Sequence, residues 1–171
     1  MWPSRTRRLF ESLVRAYSAD LFRFAYWLTR DRTLAEDLVQ EGYARAWRHM
    51  DQLQDEAGAK AWLFAIVRNE HARAHAKAGQ ARGNESLDEV EDLADESFSL
   101  AGCFEVRSAL HRLPENHREP LLLQVIGGFS CAEIGTMLSL SEANVMQRVS
   151  RARRALRELL EPETPLREQA L

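Results

Sequence analysis

A chain of 171 residues, 45% of them apolar, is long enough for one ordinary domain or two small ones and too rich in core-forming residues to stay disordered. Its formal charge of −3 conceals a polarised molecule: residues 84–105 hold eight acids (Glu85, Asp88, Glu89, Glu91, Asp92, Asp95, Glu96, Glu105) and no Lys or Arg, which leaves +5 on the remainder. The two cysteines, Cys103 and Cys131, stand 28 residues apart without a metal-ligand pattern, which argues against a disulfide framework and for free thiols in a reducing cytoplasm.

Near the N-terminus, Thr6-Arg7-Arg8-Leu9-Phe10 has the look of a twin-arginine export signal, but Glu11, Arg15, Asp20 and Arg23 break the apolar run such a signal needs. No segment is long and apolar enough to span a membrane. Phe10, Leu13, Val14, Tyr17, Leu21, Phe24 and Leu28 recur at steps of three and four, which predicts an amphipathic helix ending near Thr29. Thr33 with Glu36 is expected to cap a second helix. Its apolar side carries Leu38, Val39, Tyr43, Ala46 and Trp47, and its other face shows Asp37, Gln40 and Glu41. After a polar loop over 51–60, a third helix carries Trp62, Leu63, Ile66 and Val67 and runs to about Lys77. These three helices are expected to form a compact bundle.

Between Ala78 and Leu100 the pattern gives way to small and acidic residues with too few large apolar groups for a core, the composition of a linker. Periodicity resumes at Val106, Leu110 and Leu113, then at Leu121, Leu122, Val125 and Ile126, with Gly127-Gly128 ending that helix. Ser130 and Glu133 form a capping box that opens a short helix with Ile134 and Leu138 as its apolar stripe. A turn at Ser139 to Ser141 leads into a longer helix, capped by Ser141, which buries Val145, Val149, Ala152, Leu156 and Leu159. No strand pattern and no internal repeat is evident, so the expected class is all-α.

The last two helices have the spacing of a helix-turn-helix. Asn144, Gln147, Arg151 and Arg154, with Arg148 at the edge, form a face that suits the major groove: Arg pairs bidentately with guanine, Asn or Gln with adenine, and the remaining guanidiniums reach phosphates. A basic face alone is more often a solvated helix surface; the two-helix spacing is what favours DNA. In the third helix Phe64, Arg68, His71 and His75 share one side, with Trp62 and Lys77 nearby. Rings beside cations suit a single strand whose bases are unstacked, although a Trp at helical spacing is as readily a core residue. His71 and His75 have zinc-ligand spacing without a third ligand, so no metal is expected. Nothing in the chain forms a nucleophile, base and orienter set, a phosphate loop or a cofactor motif, so neither an enzyme nor a small-molecule substrate is expected.

Five segments, in order, resemble the extracytoplasmic-function sigma factors of bacterial RNA polymerase. They are Ala35-Glu36-Asp37-Leu38-Val39-Gln40-Glu41; Ala61-Trp62-Leu63-Phe64-Ala65-Ile66-Val67-Arg68-Asn69; Leu113-Pro114-Glu115 with Arg118; Glu133-Ile134; and Leu140-Ser141-Glu142 with Val149-Ser150-Arg151-Ala152-Arg153-Arg154-Ala155-Leu156-Arg157. The resemblance spans Leu9 to Leu160. It implies two small helical domains, over 1–78 and 101–161, with an acidic linker over 79–100 and a tail over 162–171. It assigns Asp37, Gln40 and Glu41 to docking on core RNA polymerase, and the loop over 51–60 with Trp62, Phe64, Arg68, Asn69, His71, His75 and Lys77 to opening and reading the minus-ten promoter element. It assigns Ser141, Asn144, Gln147, Arg148, Arg151 and Arg154 to the minus-thirty-five element. Control would come from an anti-sigma factor, often a membrane-associated one.

The chain departs from the family at several positions. Arg73 stands where Asp is usual, Ala76 where Arg is common, Ser139 where Gly precedes the recognition helix, and Ala143-Asn144-Val145-Met146 where Gly-Thr-Val and a frequent Lys are expected. These changes bear on promoter choice and melting, not on the fold. Two alternatives share parts of this pattern: a sigma mimic that sequesters an anti-sigma factor, which would have lost the Arg148, Arg151, Arg153, Arg154 and Arg157 set, and a dimeric helix-turn-helix regulator, which leaves the first half unexplained.

Overall fold

The computed structural model describes residues 4–81 and 101–161, and among them seven α-helices and two short 3-10 turns. The acidic run over 84–100 and the tail over 162–171 lie outside the described residues. The first half consists of α1 (Ser4–Thr29), α2 (Arg32–Arg48) and α3 (Ala59–Ala81). In α1 the predicted stripe is the buried one: Leu13, Leu21, Phe24 and Leu28 are sealed from solvent.

The α1–α2 corner differs from the sequence expectation. Arg30 takes a left-handed conformation (φ 62°) and its amide donates to the Tyr26 carbonyl at 2.8 Å, which stops α1 in a single residue. Asp31 then caps α2, its carboxylate accepting from the Leu34 amide at 2.9 Å, so α2 starts before the Thr33–Glu36 pair could act as a box. Buried Gly42 lets α2 close onto α3, where a Cβ would stand 2.8 Å from a Val67 methyl. Across the same helix pair, Glu70, 7% exposed, is held by both Arg45 and Arg73, the latter at 2.6 Å. Arg73, one of the departures from the family pattern, therefore serves a buried carboxylate.

The second half is α4 (Ala101–Arg112), α5 (Glu115–Val125), α6 (Cys131–Leu138) and α7 (Glu142–Leu160). α3 runs to Ala81, past the expected start of the linker, and α4 begins at Ala101. Pro120 sits inside α5, buried, and its missing N–H frees the Asn116 carbonyl, which accepts from Arg148 of α7 at 3.4 Å. The α5 periodicity fails at its end: Val125 is 67% exposed because the helix stops there and Gly128 (φ 71°) turns the chain away.

Ser130 and Glu133 form the expected capping box, and the Ser130 amide and hydroxyl, both donating to the Glu133 carboxylate at 2.8 Å, hold its carboxyl below the usual carboxylate range. Ser141 caps α7 by accepting from the Asn144 amide at 3.2 Å. Between these helices Ser139 is left-handed (φ 56°), and a Cβ on Gly135 would stand 2.6 Å from the Leu140 carbonyl oxygen. The two halves do not stand apart: their apolar residues merge into a continuous core through Phe64 of α3 and Phe129 of the α5–α6 corner, whose rings meet edge to face at 5.1 Å.

Candidate nucleic-acid and polymerase interfaces

On α2, Asp37, Gln40 and Glu41 all face solvent, while Leu38, Val39 and Ala46 on the opposite side are buried. The spacing i, i+3, i+4 makes them one surface. Glu41 has a solvent-exposed ion pair with Arg48 at 3.1 Å, a contact weak enough to be exchanged for a partner's cation. Leu34, 39% exposed one turn before Asp37, adds an apolar group to this face that the charge pattern did not reveal. A Leu exposed at the start of a helix whose other leucine is buried is the signal that marks it.

The seven positions expected to face a melted strand divide into three kinds. Asn69, His75 and Lys77 are exposed, and Trp62 is half-buried against the core. Phe64 is fully buried, tilted on Phe24 at 5.3 Å and covered on its other side by Phe129. Arg68 and His71 point at the second half: Arg68 donates through Nε and Nη2 to the Glu119 carboxylate at 2.6 and 3.4 Å, and His71 Nδ1 lies 3.7 Å from Glu115. Burial pushes the His71 pKa down, with Glu115 opposing and His75, Arg118 and Arg68 reinforcing. The preceding loop is built of the two 3-10 turns, Met50–Gln52 and Glu56–Gly58, the second capped by Asp55. At its end the Lys60 ammonium lies 5.6 to 6.0 Å from the rings of Phe129, Phe64 and Tyr17. Sequence reasoning had no access to Glu119 and Phe129 as partners, since Glu119 meets Arg68 across 51 residues of chain.

The α7 face is open. Asn144, Gln147, Arg151 and Arg154 are exposed on one side of the helix whose other side buries Val145, Val149 and Ala152. Ser141, also exposed, uses its hydroxyl oxygen as the cap, and a hydroxyl that accepts in this way still has its O–H to donate. Arg148 is pinned, donating through Nε to Asn144 Oδ1 at 2.7 Å as well as to the Asn116 carbonyl, which leaves the Asn144 amide group free to donate. Arg153 donates to Gln124 at 2.7 Å and braces α7 on α5. Met146, 57% exposed, borders this surface.

Among the described residues no group of three or more His, Cys, Asp or Glu could hold a metal ion, and no helix is long and apolar enough to cross a membrane. The candidate surfaces are one acidic and amide face, one ring-and-cation helix and one amide-and-guanidinium helix, on three different elements.

Residues 13–81 match Sigma-70 region 2, and residues 103–156 match Sigma-70, region 4. The ECF RNA polymerase sigma factor SigL of Mycobacterium tuberculosis is 34% identical to the chain, over 87% of each. Among solved structures, the sigma factor RpoE of Bartonella quintana, in complex with the anti-sigma factor NepR, aligns with a TM-score of 0.76 and 29% identity over 90% of this chain and 98% of that one. CnrH, in complex with the cytosolic domain of CnrY, aligns with a TM-score of 0.68 and 28% identity over 92% and 91%. With both regions matched in order and the acidic run between them, the chain belongs to the extracytoplasmic-function family of RNA polymerase sigma factors.

Proposed function

We propose that this sigma factor docks on core RNA polymerase through the α2 face of Asp37, Gln40 and Glu41, with Leu34 as its apolar contact, and directs initiation at its own promoters in the cytoplasm. In this reading α7 enters the major groove of the minus-thirty-five element, with Asn144, Gln147 and Arg151 at base edges and Ser141, Arg148 and Arg154 at phosphates. The minus-ten element, once unstacked, lies along α3, where Arg68, Asn69, His71, His75 and Lys77 hold backbone and bases beside Trp62, while the buried Phe64 supports the helix from the core. The observation that carries the reading is the complete basic and amide face of α7, exposed on a capped helix-turn-helix: a protein that only sequesters an inhibitor has no use for it.

Control by an anti-sigma factor is part of the proposal. RpoE was captured with the anti-sigma factor NepR, and CnrH with the cytosolic domain of CnrY. Within the described residues of this chain no ligand-binding module accompanies the two regions, and in this reading the regulator is an external, membrane-associated anti-sigma factor.

The docking assignment is tested by reversing charge at Asp37 and Glu41 together. Binding to purified core enzyme should weaken roughly five- to hundredfold with helix content unchanged. Unchanged core affinity would remove α2 from the docking surface.

A further inference from the structure

Arg148 ties the first turn of α7 to α5. Pro120 has no N–H, so the Asn116 carbonyl one turn earlier lacks its helical donor, and Arg148 Nη1 donates to it at 3.4 Å. The guanidinium is planar, so fixing one nitrogen fixes the direction of the others. Its Nε donates to Asn144 Oδ1 at 2.7 Å, a short bond assisted by the charge. Arg148 is half-buried, whereas Asn144 is exposed as the third residue of α7, in the turn where a recognition helix meets base edges. The Asn144 backbone is held as well, because its N–H donates to the Ser141 cap at 3.2 Å.

An Asn side chain with both ends free reads adenine, Nδ2 donating to N7 and Oδ1 accepting from the N6 amino group. In this chain Oδ1 is held by a cation. An adenine N6 amino group brought to that oxygen would set its hydrogens against those of the guanidinium, while Nδ2 keeps its two hydrogens to donate. The major-groove edge of guanine answers that arrangement, since N7 and O6 are both acceptors. We propose that Arg148 is a positioning residue that turns Asn144 from an adenine reader into a donor to guanine, and so sets one base of the minus-thirty-five element. The proposal rests on the reading of α7 as the groove helix. Arg148 Nη2 is left over for a phosphate, so the guanidinium can fix Asn144 and contact the DNA backbone at once.

The test is site selection from duplexes randomised across the upstream element, with holoenzyme formed from core RNA polymerase and wild type, Asn144→Ala, Arg148→Ala or the double variant. The position at which Asn144→Ala loses its preference is the one that residue reads. Wild type should select guanine there, and Arg148→Ala should select adenine, because Oδ1 is released. A residue that only touched phosphate or only supported the fold would weaken all sequences evenly, which is all that Arg148→Ala should do when added to Asn144→Ala. A duplex with 7-deazaguanine at that position, which lacks the N7 acceptor, should bind wild type about tenfold more weakly and leave Asn144→Ala unaffected. This second measurement decides the matter if Arg148→Ala loses helix content. Adenine selected by wild type, guanine retained by a folded Arg148→Ala, or wild-type indifference to 7-deazaguanine overturns the proposal. Failure of the underlying reading looks different: Ala variants of Asn144, Gln147 and Arg151 would all keep the wild-type preference at every position, and both would fall.

Discussion

Two side chains show how much of this protein's behaviour is set by single buried groups. His111 on α4 faces three cations, Arg118, Arg30 and Arg107. An Arg118 Nη1 donor lies 3.0 Å from His111 Nδ1, and a guanidinium can only donate, so Nδ1 must accept and the proton must sit on Nε2. Burial first, and these arginines second, push its pKa down to about 3. A histidine held neutral in the fold and free to protonate when unfolded stabilises the protein fully above its ordinary pKa of 6.5, and that contribution is lost as the pH falls toward 3. Denaturation series at pH 7 and pH 5 should show wild type losing about 1 kcal/mol more than His111→Gln, because solvent reaching the partly buried ring screens part of the 1.36 kcal/mol per pKa unit. Parallel losses in the two proteins would mean that His111 is not kept neutral. Glu70 is the opposite case, a buried carboxylate satisfied by Arg45 and Arg73, and Glu70→Ala should cost about 1 to 3 kcal/mol, the lost charged hydrogen bonds at the α2–α3 contact being partly replaced by water on the two arginines. On α7, Ala variants of Asn144, Gln147 or Arg151 should each relax preference at one base position, at about 1 to 3 kcal/mol per bidentate contact. Variants at Arg154 and Arg157 should weaken binding evenly and lower its salt dependence. Site selections that return identical sequence preferences for all five would remove α7 as a base reader.

The helices themselves were written plainly in the chain. The stripe from Phe10 to Leu28, the Ser130–Glu133 box and the Ser141 cap are local patterns, and local patterns survive folding because the groups that satisfy each other are neighbours in sequence. The corners were less readable. Asp31 displaced Thr33 as the α2 cap because Arg30 accepted a left-handed conformation, which sequence propensity assigns to Gly or Asn. Val125 fell on the predicted stripe yet faces water, since periodicity does not say where a helix stops. Ser139 has a clear cause in the structure: the turn before the recognition helix demands positive φ, the reason a Gly serves there. Ser139→Gly should therefore raise stability by about 1 kcal/mol through relief of left-handed strain, measured by denaturant unfolding. Gly135→Ala should lower it by about 1 to 3 kcal/mol, because the added methyl meets the Leu140 backbone and cannot push aside a flexible side chain. A neutral Gly135→Ala would show that the helix-turn-helix corner is looser than its geometry.

At the level of the whole chain, the two-domain plan was readable from the fall in apolar content between Ala78 and Leu100, but the way the halves meet was not. Arg68–Glu119, Phe64–Phe129 and Arg107–Tyr26 pair residues 51 to 81 positions apart, and no periodicity encodes such a pairing. The residues singled out on α3 as strand contacts were thus identified by chemical type, while their present partners came only from the fold. Run-off transcription with purified core RNA polymerase and genomic promoter fragments tests the account most directly. The wild-type chain should start transcription at a discrete set of sites that core enzyme alone ignores, and Asp37→Lys/Glu41→Lys should abolish those starts while leaving the fold intact. Discrete initiation that survives the double variant undiminished, or no initiation by the wild-type chain on any fragment, would contradict it.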